Sequence, residues 1–163
     1  MKADCRPPVT ADCRPPVTAD CRPPVTTTCL FCRGDRPAAD HKVADLGVTV
    51  AYLHDDQFFP GWTVLVLKRH ATELFELPAD ERTRMMDEVS RVAAALDALF
   101  APRKINYELL GNQVPHMHWH VIPRLADDPA PLEAVWAVAH ATRLLDAATL
   151  AERLAALRAR LGA

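Results

Sequence analysis

Three histidines alternate along one short run, His116-Met117-His118-Trp119-His120, and they are three of only seven in the chain. Alternate residues of a β-strand point to one side, so on a strand the imidazoles share a face at roughly 7 Å intervals while Met117, Trp119 and Val121 face a core. An imidazole at neutral pH is both a nucleophile and a metal ligand. Spacing alone leaves both chemistries open. A second group, Cys29-Leu30-Phe31-Cys32, has the separation of half a tetrahedral zinc site or of a redox pair. No thioredoxin-like βαβ pattern surrounds it, which favours zinc. His41, His54 and His140 belong to no motif and read as surface or satisfied core histidines.

The elements that must position these groups are legible around them. Lys104 to Leu110 and Met117 to Ile122 read as strands joined at Gly111-Asn112, an antiparallel hairpin whose second strand carries the triad. Val48 to Leu53 and Trp62 to Leu67 read as two further strands, separated by a loop ending in Pro60-Gly61. The unbroken apolar run Val64-Leu65-Val66-Leu67 is expected to be fully buried. A helix follows Pro78, with Asp80 and Glu81 at its positive end and Met85, Val89, Val92, Leu96 and Leu99 as its apolar stripe, and Pro102 stops it. After Pro129 and Pro131 helix is expected again, with Leu132, Val135, Trp136, Leu144 and Leu145 apolar. Thr149-Leu150-Ala151-Glu152 has capping-box spacing and opens a terminal helix whose Leu150, Leu154, Leu157 and Leu161 form a core-packing stripe.

Composition bounds the function. The chain has 163 residues, is 50% hydrophobic and 25% charged, and carries a net charge of -2, which fits one globular domain and gives no footing for nucleic acid or an acidic membrane surface. The expected partner is a small molecule. No run approaches the roughly 18 apolar residues of a membrane span, and prolines and acids stand where a secretory signal needs an apolar segment, so the expected location is cytoplasmic. Residues 3–26 are three identical copies of Ala-Asp-Cys-Arg-Pro-Pro-Val-Thr. Paired prolines at that period match no solenoid repeat, so residues 1–26 read as a disordered, polyproline-like tail in which Cys5, Cys13 and Cys21 are exposed thiols. Residues 27–163 read as the domain with its C-terminal helices.

The flanks of the triad decide between its chemistries. Asn112-Gln113-Val114-Pro115-His116-Met117-His118-Trp119-His120-Val121-Ile122-Pro123-Arg124 resembles the motif of the histidine triad (HIT) superfamily of nucleotide hydrolases and transferases. The buried strand ending at Lys68-Arg69-His70, the helix after Leu77-Pro78 and the strand Ile105 to Leu110 come in the family's order, which extends the resemblance over about Thr27 to Arg124. It implies an α+β fold, an antiparallel sheet with flanking helices, in a homodimer. It also implies His118 as the nucleophile on a nucleotide α-phosphate, with His116 and His120 as further catalytic residues holding phosphate oxygens or positioning the site. Asn106, Asn112 and Gln113 would contact the phosphate, and Asp55 or Asp56 the ribose. Some family members complete a Cys-x-x-Cys zinc site with a histidine after the buried strand and the first triad histidine, which here are His70 and His116. Cys29, Cys32, His70 and His116 would then form a closed, structural zinc site.

The departures point one way. Transferases of the superfamily typically carry glutamine where this chain has His120, so the resemblance favours a hydrolase of dinucleoside polyphosphates or adenylated amines. Gln113 replaces a common serine or threonine, and Leu67 a common proline, which bears on substrate contacts and not on the nucleophile. Three other readings stay open: a nucleotidyl transferase or phosphorylase with the same intermediate, a non-catalytic nucleotide-binding module, and a metal-dependent enzyme with the triad as ligands.

Overall fold

A cradle for the triad is built by five antiparallel strands with helices on one side only. The computed structural model describes residues 28–162; the tail expected over residues 1–26 lies outside them. The strands are β1 (Lys42–Asp45), β2 (Thr49–Leu53), β3 (Thr63–Leu67), β4 (Lys104–Glu108) and β5 (His118–Arg124), in the sheet order β1-β2-β3-β5-β4. Helix α1 (Ala79–Phe100) follows β3, and α2 (Ala147–Leu161) ends the described chain. This is the α+β architecture expected.

Period-two alternation sorts the side chains between two faces. Ala51, Leu53, Leu65 and Val121 join Val89, Val92 and Leu96 of α1 and Leu154, Leu157 and Leu161 of α2 in the main core. On the opposite face the register pairs Val64 with His120 and Val66 with His118, so the triad side of the sheet is lined by β-branched residues of a strand buried along its whole length. Strand β1 escaped the sequence reading. It is four residues long and has a register shift between Lys42 and Ala44, which breaks the alternation by which strands are recognised.

Two glycines are required by close approach. A Cβ on Gly47 would lie 2.8 Å from Glu88 Oε1. That carboxylate reaches into the β1–β2 turn and accepts the backbone N–H groups of Val48 (2.8 Å) and Thr49 (2.9 Å) and the Thr49 hydroxyl (2.6 Å), tying α1 to the sheet. A Cβ on Gly61, where φ is +87°, would meet the Phe100 ring at 2.7 Å.

The C-terminal region departs from expectation in two places. Between β5 and α2 the only helical piece is a single 3-10 turn, Val135–Ala137, and the rest is an extended strap across the triad face. Its apolar residues do not share one stripe: Val135 is buried, whereas Leu132 and Leu144 are exposed. Tertiary bonds hold the strap instead, described below. Helix α2 is capped by Asp146, whose carboxylate accepts from Thr149 N–H at 2.9 Å and from its hydroxyl at 2.8 Å. The Thr149–Glu152 spacing is therefore internal to the helix, because Asp146 stands at the N-cap and already satisfies the Thr149 N–H. Its Leu154, Leu157 and Leu161 pack in the core, as the stripe predicts.

Candidate functional site

Three histidines of one sequence pattern occupy three different hydrogen-bond settings. The Nδ1 of His118 lies 2.6 Å from the backbone oxygen of His116. A carbonyl only accepts, so Nδ1 carries the proton and Nε2 keeps its lone pair. His120 is set the opposite way. The Trp62 indole, a donor only, gives its N–H to His120 Nδ1 at 3.0 Å, leaving the proton of His120 on Nε2. His116 donates Nε2–H to the Leu67 carbonyl at 2.7 Å, which leaves its Nδ1 lone pair facing two sulfurs. All three rings are buried. Burial lowers the pKa of His118 and of His116, and burial followed by the nearby His118 and His54 rings pushes that of His120 down to about 3.

A cavity of about 350 Å³ opens over His118 and His120, with Asn112, Gln113 and Asp55 on its walls. The amides come from the β4–β5 connection, where Gly111 turns the chain at a φ of +74°. Of the two acids, Asp55 is the one at the cavity; its Oδ1 is buried without a hydrogen-bond partner among the described residues. His41 Nδ1 lies 3.3 Å away, but 3.1 Å from the Leu53 carbonyl, which takes its proton. Asp56 is spent on scaffold, accepting from Phe58 N–H (2.9 Å), Arg143 N–H (3.0 Å) and His140 Nε2 (2.9 Å).

Two expected substrate contacts are not brought to this cavity. Asn106 accepts from Arg124 at 2.7 Å and lines a separate hollow with Glu108 and Glu133. The register explains this: Asn106 pairs with Ile122, one alternation beyond His120 on the same face, and buried Arg124 claims its amide oxygen. The His116 imidazole turns away from the cavity, and only its backbone oxygen serves His118.

Other lining residues went unread in the sequence. His54, read as a bystander, stacks on Trp62 at 4.1 Å and 9°, with its ring 6.0 Å from His120. Its Nδ1 accepts the Asp56 N–H at 3.1 Å. The alternation that places Tyr52 opposite Val64 carries His54 to the triad face, a signal usable only once β2, β3 and β5 are known to be neighbours. Phe31 meets the His118 ring edge-on at 4.9 Å, and Arg36 is the cationic side chain on the cavity wall.

Cys29, Cys32, His70 and His116 converge behind the triad, their ligand atoms all within 4.8 Å of one another. Cys29 Sγ and Cys32 Sγ each lie 3.4 Å from His116 Nδ1, and His70 Nδ1 lies 3.3 Å from both Cys32 Sγ and His116 Nδ1. Ligands at zinc's bond lengths in a tetrahedron stand about 3.3–3.8 Å apart, so the donor set fits that ion. Burial first, and then the neighbouring Cys29, push the Cys32 thiol up to about 11. Two thiolates here need a cation to balance them. The set can hold a metal.

Fold and site together define a histidine triad protein. The HIT domain family matches residues 36–127, more than half of the chain, and the chain belongs to that family. It is 30% identical over 116 residues to the "Protein hit" of Bacillus subtilis (strain 168), a match covering 66% of this chain and 78% of that protein. A histidine triad protein from Bradyrhizobium japonicum superposes with a TM-score of 0.69 at 32% identity, covering 74% of this chain and 89% of that one. A Zn-bound histidine triad family protein from Mycobacterium smegmatis shares the fold at a TM-score of 0.62 and 24% identity, over 82% of this chain and 94% of that one.

Proposed function

We propose that this protein hydrolyses a nucleoside phosphoanhydride or phosphoramidate at the α-phosphate through a covalent nucleotidyl-histidine on His118. The observation that carries this is the 2.6 Å contact from His118 Nδ1 to the His116 carbonyl, which leaves the lone pair on Nε2, the form a nucleophilic imidazole needs. Nε2 attacks phosphorus, and the bond to the leaving oxygen or nitrogen breaks. The leaving atom keeps the electron pair and takes a proton from water. Positive charge on the substituted ring is held by the same carbonyl. Water then attacks phosphorus, the P–Nε2 bond breaks, and a 5′-monophosphate departs.

The supporting cast follows from the walls. Asn112, Gln113 and Arg36 face the phosphate oxygens, and the Asp55 carboxylate accepts from a ribose hydroxyl. His120, too weak a base to hold a second proton near neutrality, serves as an N–H donor to the phosphate or leaving atom. Cys29, Cys32, His70 and His116 would hold a structural zinc, closed by its four ligands and taking no part in the reaction. Asn106 would steady Arg124 and not the substrate. The acting unit is residues 27–163, in a homodimer and in the cytoplasm; among the described residues no helix is long and apolar enough to cross a membrane.

Radiolabelled adenylated substrate tests the mechanism. Alkaline quench should trap label on His118, and turnover in ¹⁸O-water should place one ¹⁸O in the nucleotide product. Turnover without any adduct overturns the covalent route, and product formation that needs added phosphate or sugar phosphate moves the protein to the transferases.

A further inference from the structure

One wall of the cavity lies outside the family match. That match ends at residue 127, whereas Trp136 stands on the turn Val135–Ala137 in the strap and lines the same cavity as His118 and His120. Its ring meets His120 edge-on at 5.0 Å and Trp62 at 5.2 Å, and its indole N–H is bonded to the Glu108 carboxylate. The strap is pinned on both sides of it. Val135 is buried with Phe59, Trp62 and Ile122, His140 Nε2 pairs with Asp56 at 2.9 Å, and the Gln57 N–H bonds to the Arg143 carbonyl at 2.8 Å. Although held so firmly, Trp136 stays 49% exposed. A fixed, half-exposed indole is a platform for another flat ring.

We propose that Trp136 is a specificity-determining residue that stacks on a planar aromatic group in the leaving half of the substrate. The proposal rests on the nucleotide hydrolase reading above. Two observations place the leaving half at this wall. Asp55, the ribose acceptor of that reading, follows β2, whereas Trp136 meets the ring of His120, the donor to the leaving atom in that reading, and is bonded to Glu108 of β4, which pairs with His120. The cavity, at about 350 Å³, is also near the bottom of the roughly 300–1,000 Å³ of small-molecule sites. It takes one half of a two-part substrate, and the other half emerges at the rim where Trp136 stands.

The test uses two adenosine 5′-phosphoramidates, of 2-phenylethylamine and of ethylamine, which differ only in the ring. With the full chain, Trp136→Ala should lower kcat/KM for the phenylethyl compound roughly three- to tenfold and leave the ethyl compound within about twofold, while Trp136→Phe keeps most of the preference. Equal loss on both compounds, or loss on neither, overturns the assignment. Binding titrations of both compounds to His118→Ala protein, with and without Trp136→Ala, read the same preference without turnover. If the unmodified protein turns over neither compound, the phosphoramidate branch of the hydrolase reading falls and the titration alone decides Trp136: a ring preference lost with Trp136→Ala supports the assignment, and equal affinities overturn it.

Discussion

His118 Nδ1 and the His116 carbonyl oxygen lie 2.6 Å apart, the carbonyl coming from the bend two residues before His118 opens β5. The contact places the His118 proton at the back of the ring and its lone pair at the cavity. It also couples two sites, because the residue that lends its backbone to His118 lends its side chain to the Cys29, Cys32 and His70 cluster. Whatever holds His116 in place holds His118 in register.

Replacing His118, the proposed nucleophile, should be the most damaging change. His118→Ala is expected to lower kcat by at least about 10⁴-fold, the scale of losing a covalent nucleophile, with an unchanged far-ultraviolet circular dichroism spectrum. Residual turnover within tenfold of the unmodified protein contradicts the assignment.

Trp62 fixes the tautomer of His120 through its 3.0 Å indole bond. Trp62→Phe keeps an aromatic ring and removes the donor, so the expected loss in kcat is roughly tenfold, the size of one unmet buried hydrogen bond. Nitrogen-15 shifts of His120 should show the proton redistributing between Nδ1 and Nε2; an unmoved tautomer would show that the indole does not set it.

Acid has a definite sign here. Burial lowers the His118 pKa below its ordinary 6.5, so the neutral, nucleophilic ring persists as pH falls, and the acid limb of kcat should lie below pH 6.5. Stability moves the same way. His120 is lowered from 6.5 to about 3, so between those values the unfolded chain binds the proton and the folded one does not, and the contribution of His120 to stability falls as pH drops through that window. Rate profiles and thermal melts from pH 4 to 8 check both; an acid limb above 6.5 fails the first.

Removing a ligand of the Cys/His cluster should act on structure. Cys32→Ser is expected to reduce bound zinc from one equivalent per chain to a small fraction and to lower Tm by several degrees, measured by elemental analysis and calorimetry. A metal content unchanged by the substitution would mean that the ion sits elsewhere.

Glu88 collects three donors from the β1–β2 turn. Glu88→Ala leaves the half-buried Val48 N–H, the buried Thr49 N–H and the Thr49 hydroxyl unmet and should destabilise the fold by about 3 kcal/mol in urea unfolding, with little change in the kcat of the folded fraction.

By itself the sequence determined the strand that bears His118 and His120, the helix between Pro78 and Pro102, the buried run Val64–Leu67 and the two cysteines worth watching, because each is written in local spacing. It also carried enough of the family pattern to name the fold. What only the tertiary structure decided is how the histidines divide: the His116 carbonyl, the Trp62 indole N–H and the Leu67 carbonyl set the tautomers of His118, His120 and His116 in turn, the last two from residues about fifty positions away. The same reason explains the misses. Asn106 and Arg124 find each other only across the β4–β5 register, His54 reaches the triad only because β3 lies between β2 and β5, and the strap keeps its path through bonds to Asp56 that no local periodicity encodes.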